Sequence, residues 1–224
     1  MSELAKDNDR AALDLLFTGV RRYPLLTAQD EQAADLKKWQ ALEEMQQLFV
    51  VDEYCRHYLG AWAAATLDNP PTLDDCEMRE HYYLLRREQV GLLKGGAQRP
   101  ALIRFCKCIA GPANKKRDQK SIAALQLPAG LVVGLAENLV NDGSPRGVAA
   151  ALLSWYGRLP ATADAKTERP GAATVDALGR CLAAYYAARE QLVNHNLRLV
   201  LSIAGRSAGR GVPYRDLIQN GVVG

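Results

Sequence analysis

The side chains best suited to metal or nucleophilic chemistry in this 224-residue sequence are five cysteines and three histidines. Cys55, Cys76, Cys106, Cys108 and Cys181 are scattered. Their one close pair, Cys106-Lys107-Cys108, lacks the two-residue gap of a redox or zinc half-site. An odd set of cysteines, in a chain that opens with the polar run MSELAKDNDR and no apolar signal core, implies free thiols. His57, His81 and His195 stand at no ligand spacing from one another and are expected at a surface or an interface. No metal and no cofactor is expected.

Nothing in the sequence assembles an enzyme. A phosphate-binding loop needs GxxxxGK followed by Ser or Thr, and after Gly91-Leu92-Leu93-Lys94-Gly95-Gly96 come Ala97 and Gln98 instead. HExxH and a dinucleotide fingerprint are absent. The acid pairs Asp74-Asp75 and Glu43-Glu44 read as solvated helix residues. A binding protein without catalytic activity is therefore the expectation.

Charge is more informative in its distribution than in its net value of +3. Residues 28–60 hold seven acids against three bases, and residues 99–120 hold seven bases against the single acid Asp118. Residues 176–224 hold six arginines and three acids. An acidic front with basic patches fits a chain that meets nucleic acid. No uninterrupted apolar run reaches the ~20 residues of a membrane span, so a soluble, cytoplasmic protein with no membrane partner is expected.

The elements that position these residues are helical almost throughout. Apolar residues follow the 3.6-residue period, aromatics make up only 7%, and no alternating strand pattern is bounded by turns. Thr27-Ala28-Gln29-Asp30 is a capping box, and an apolar face follows from Ala33 through Phe49 to Trp62 until Asn69-Pro70-Pro71. Further helices are predicted over 74–94, 100–110, 131–140 and 146–157. Residues 114–120 read as an exposed basic turn, with Ser121 capping the next helix, and 159–173 as a linker. The longest helix starts near Thr174 as cap and runs to about Ala208, its stripe from Leu192 to Ile203 expected in a core. Gly209-Arg210-Gly211 breaks it, and Pro213 starts another helix.

The segment Arg189–Gly224 carries NLRLV (Asn196–Val200), Ser202-Ile203-Ala204, Gly209-Arg210-Gly211 and Asp216-Leu217-Ile218-Gln219-Asn220-Gly221. In helix, turn and helix this resembles the start of the core-binding domain of bacterial sigma factors of the sigma-70 family. Tyr23-Pro24-Leu25-Leu26-Thr27-Ala28-Gln29-Asp30-Glu31 resembles the family's region 1.2. The two matches occur in the family's order and cover roughly a third of the chain.

The resemblance implies an all-α, multi-helix sigma-factor core-binding domain, incomplete at its C-terminus, with a helical insertion. It divides the chain into 1–66 with the region 1.2-like helix, 67–172 as insertion and linker, and 173–224 as the start of region 2. In the family, the DLIQEGN helix docks on the β′ clamp helices of RNA polymerase core, which assigns Asp216, Gln219 and Asn220 to polymerase binding here. Asn220 takes the family's glutamate position and Val222 its asparagine position. Region 1.2 touches promoter DNA beside the minus-ten element, which assigns Arg21, Arg22 and Tyr23 to DNA binding; phosphate pairing and base stacking need those residue types.

The implied function is that of an N-terminal sigma-factor fragment serving promoter-specific initiation. The family's base-flipping segment and helix-turn-helix do not occur within these residues. An anti-sigma factor is a further partner class the resemblance admits. The alternatives are a truncated sigma-like competitor or regulator of polymerase, or a helical scaffold binding nucleic acid nonspecifically through Lys115, Lys116, Arg117 and Lys120.

Overall fold

The structure, a computed structural model, describes residues 18, 26–68, 90–92, 96–141, 170–207, 212–214 and 216–218. These residues are mostly helical, with no strand among them, so the fold is all-α. The helices are α1 (Ala28–Val51), α2 (Glu53–Asp68), α3 (Arg99–Ala110), α4 (Lys115–Leu125), α5 (Ala129–Val140) and α6 (Ala172–Ser207), with a 3-10 turn at Val90–Leu92. The expected helix over 146–157 and most of that over 74–94 lie outside the described residues, as does most of the linker. The chain forms two compact units, one of residues 1–38 with 186–224 and one of residues 39–185.

Unit 39–185 holds the larger core. α2 packs on α3, and α3 on α4. Phe49, Trp62, Leu102, Phe105, Ile122, Leu125 and Leu131 are among its fully buried side chains. In α5 every residue from Leu131 to Leu139 is buried, as expected of a helix apolar on all sides. Its two polar members include Asn138, whose Nδ2 donates to the Tyr58 hydroxyl at 3.0 Å. Gly60 allows the close approach of α2 to α3: a Cβ there would stand 2.7 Å from Ile109 Cγ2.

The apolar face expected to run unbroken from Ala33 to Trp62 is interrupted at Asp52. Its carboxylate accepts the Cys55 N–H at 3.0 Å and so caps α2. The other carboxylate oxygen accepts the Thr174 hydroxyl at 2.9 Å and the Gly171 N–H at 3.3 Å. Thr174 is thus not the cap of α6 but a first-turn residue tied to Asp52; the Gly171 carbonyl accepts the N–H groups of Thr174 and Val175. Burial alone would raise the Asp52 carboxyl, but these hydrogen bonds outweigh it and hold it below its ordinary range.

Residues 114–120 are not an exposed turn. α4 starts at Lys115, and the Asn114 side chain caps it by accepting the Arg117 N–H at 3.0 Å. Ser121 lies inside the helix and donates to the Asp118 carbonyl at 2.9 Å. The run is exposed as expected except at Asp118 and Gln119, but with Asn114 as its cap it forms the start of a helix rather than a turn. α4 ends on Gln126 in the left-handed region, with φ of 49°.

Unit 1–38 with 186–224 has a small core. Leu201, Ala204 and Ile218 are buried, with Leu197, Val200, Tyr214 and Leu217 packed against them. The stripe expected in a core divides: Leu201 faces inward, while Val193, Leu199 and Ile203 are about half exposed. The helical period places 199 and 203 on a face away from 197, 201 and 204.

Candidate functional site

The site is built on the second half of α6 and the turn after it. Pro213 accepts the N–H groups of Asp216 at 3.0 Å and Leu217 at 3.2 Å through its carbonyl, which opens a helical turn. Ile218 is buried against α6, and the Tyr214 hydroxyl donates to the Leu201 carbonyl at 3.3 Å. These contacts fix the turn by its apolar side and leave Asp216 exposed. A carboxylate so placed retains its hydration and stands ready for a cationic or hydrogen-bonding partner. At the helix end, Arg206 Nε donates to the Ser202 carbonyl at 3.4 Å.

The start of α1 belongs to the same unit. The box at Thr27 is reciprocal: Thr27 Oγ1 accepts the Asp30 N–H at 3.2 Å, and Asp30 Oδ2 accepts the Thr27 N–H at 3.0 Å and its hydroxyl at 2.7 Å. The two bonds from Thr27 hold the Asp30 carboxyl below its ordinary range. The shorter aspartate therefore serves as glutamate does in the longer form of the motif.

His195 joins the two halves of the unit. Its Nδ1 accepts the Leu26 N–H at 3.1 Å, and its Nε2 lies 2.7 Å from Glu31 Oε1. This geometry requires the proton on Nε2, because Nδ1 is occupied as an acceptor. Expected only at a surface or interface, His195 instead bridges residues more than 160 positions away in sequence. No pairwise sequence signal marks such a contact.

Of the residues assigned to polymerase binding, Asp216 is exposed on the turn, and Gln219 and Asn220 lie outside the described residues. Arg21, Arg22 and Tyr23, assigned to DNA, also lie outside them. Arg198 is half-buried in α6.

Unit 39–185 contains a polar cluster around Asp118. Arg56 Nε donates to Asp118 Oδ2 at 3.0 Å, and its Nη2 donates to the Gly111 carbonyl at 2.8 Å. Arg117 Nε donates to Asp118 Oδ1 at 3.0 Å, and Asn114 N–H donates to Oδ2 at 3.1 Å. The Cys108 thiol lies 3.3 Å from Oδ1. Asp118 has no exposed surface. Burial pushes its carboxyl up, but the donors from Asn114, Arg56, Arg117 and Cys108 outweigh it and hold the group below its ordinary range.

The same unit carries a cleft of about 540 Å³ between α1, α4 and α6, lined by Glu44, Lys115, Arg180 and Cys181 among others. The Cys181 thiol points at Glu44 Oε2, 3.5 Å away, and burial with that carboxylate raises it to about 11. A thiol held protonated in this way is a poor nucleophile. The four cysteines within the described residues, Cys55, Cys106, Cys108 and Cys181, are free, as their scatter implied. No described helix is long and apolar enough to cross a membrane. A scan of the sequence against known protein families finds no matching family model.

Proposed function

We propose that this chain is the N-terminal part of a bacterial sigma-70-type factor and binds RNA polymerase core through the turn bearing Asp216. The observation that carries the reading is the convergence of its two motif segments. Residues 23–31 and 189–224, far apart in sequence, belong to one compact unit, and His195 hydrogen-bonds across them to Leu26 and Glu31. Unrelated chance matches have no reason to meet in space. Asp216 is exposed while Ile218 and Leu217 anchor its turn, the arrangement a docking helix needs. On this reading Gln219 and Asn220 extend the polymerase contact, and Arg21, Arg22 and Tyr23 meet promoter DNA beside the minus-ten element.

The test is binding of the full chain to purified bacterial RNA polymerase core, followed by fluorescence anisotropy. Asp216→Lys is expected to weaken binding at least tenfold with an unchanged melting temperature, because the side chain is exposed. Gln219→Ala is expected to weaken binding, and charge reversal at Lys115 and Lys116 to leave it intact. Core binding that survives Asp216→Lys, or no core binding by the wild-type chain, would sink the proposal.

A further inference from the structure

Among the described residues, the α3–α4 hairpin carries a cationic surface without acidic partners, and its origin lies in the burial of Asp118. Residues 99–126 contain seven bases and that one acid. The acid is sealed from solvent between Arg56 and Arg117, two guanidiniums for one carboxylate. The cluster, in which Arg56 and Asp118 are buried and Arg117 is 42% exposed, is therefore positive in surplus and cannot neutralise the surface around it. Arg104 and Lys107 are exposed on α3; Lys115, Lys116 and Lys120 are exposed on α4. None of these five has an ion-pair partner among the described residues. Glu44 of α1 lines the same cleft as Lys115 without pairing with it.

Spacing supports a backbone-reading role. Arg104 and Lys107 are three apart on one helix, and Lys116 and Lys120 are four apart on the other, so each pair shares a face. Exposed lysine ammonium groups on flexible stems suit phosphates, which need charge but no fixed fork geometry. Exposed aromatic residues, which would stack bases, are missing from the described hairpin. Sequence-independent phosphate contact is the chemistry that remains.

We infer that the exposed faces of α3 and α4 form a docking surface for the phosphate backbone of duplex nucleic acid, independent of base sequence. The inference stands apart from the polymerase reading, since it uses no residue of unit 1–38 with 186–224.

The test uses the full chain and a 30-base-pair duplex of arbitrary sequence, titrated over a range of salt concentrations. The wild-type affinity should fall steeply with salt. A Lys107→Gln, Lys116→Gln, Lys120→Gln variant should lose affinity at low salt by roughly tenfold or more, and its log–log salt slope should shrink by about one per lysine removed. Circular dichroism should be unchanged, because all three side chains are exposed. Asp216→Lys should leave the variant-sensitive component of DNA binding in place, which separates failure here from failure of the polymerase reading. Equal duplex binding by wild type and triple variant would overturn the inference. So would a wild-type chain that ignores DNA but binds polyglutamate in a manner the triple variant loses, since the partner would then be an acidic protein.

Discussion

In unit 39–185 the single acid of the α3–α4 hairpin is fully buried between two guanidiniums, whereas in unit 1–38 with 186–224 Asp216 stands in solvent on a turn held by a small apolar core. The same side chain does opposite work in the two places. Removing a carboxylate from water is costly unless donors surround it, so Asp118 ties α4 to α2 and to the loop at Gly111 only because Arg56, Arg117 and Asn114 are all in position. Asp216 has retained its hydration and contributes little to stability, which is the condition for meeting a partner. Exposed apolar side chains occur in both units, Trp39, Val51 and Ile103 in unit 39–185 and Leu36, Val193, Leu199, Ile203 and Val212 in the other, whereas the large fully buried ones named above all belong to unit 39–185. A buried charge here marks architecture, and an exposed one over a small core marks a candidate for recognition.

The largest expected effect breaks the buried side of this comparison. Asp118→Ala leaves Arg56 buried without its carboxylate, and the loss of one partner of a buried pair costs about 3–5 kcal/mol. A thermal melt should show it as a fall of several degrees. The acid limb of stability carries a second signature. Asp118 and Asp52 both titrate below their ordinary values in the folded chain. Their stabilisation is therefore complete above the unfolded carboxyl value of about 3.9 and is lost as pH falls through the lower folded values. Wild-type melting temperature should hold down to roughly pH 4 and then decline, and Asp118→Ala should decline less steeply there. A variant with wild-type stability and wild-type acid dependence would show that the cluster does not hold the hairpin.

How much of this was legible beforehand differs between the two units for a physical reason. The all-α class, the box at Thr27, the turn near Pro213 and the free thiols follow from local rules, and each appears in the structure. What failed depended on distant partners. Asp118 reads as a surface acid until Arg56, 62 positions away, is placed beside it. Asp52 reads as one more helix residue until Gly171 and Thr174 reach its carboxylate. The stripe from Leu192 to Ile203 reads as core because its apolar residues cover more of the helix than the small core can bury. His195 carried no local signal at all. The predicted site was legible only as Asp216, by resemblance, and not as the apolar anchors Ile218 and Leu201 that present it.

A smaller effect tests whether the two units are energetically separate. Leu201→Ala removes the centre of the small core. Its neighbours Leu197 and Val200 are already partly exposed, so the cost belongs near the low end for such truncations, about 2 kcal/mol. Amide hydrogen exchange should accelerate over residues 197–207 and leave α2 to α5 protected, in line with opening by local units. The same variant should weaken polymerase binding if Asp216 depends on that core for its position. Equal acceleration in both units would show that they unfold together, and the contrast drawn between them would lose its energetic basis.

The smallest effect sits at the joint between the two motif segments. His195→Ala removes the acceptor of the Leu26 N–H and the partner of Glu31, while Glu31→Gln removes the charge and keeps an oxygen in place. Glu31 is 43% exposed in its side chain, so solvent screens the pair and a double-mutant cycle should return less than about 1 kcal/mol. The energy is minor, but the exchange rate of one amide makes the point sharply. Leu26 N–H gives its hydrogen to a ring nitrogen of α6, and with alanine at 195 that amide has lost its acceptor and should exchange at least tenfold faster. Rescue should be poor with Gln at 195, because one amide group cannot accept from Leu26 and donate to Glu31 at the two ring-nitrogen positions at once. If Leu26 exchanges at the wild-type rate in His195→Ala, the clasp does not form in solution. The convergence of the two segments, on which the polymerase reading rests, would then need another physical cause.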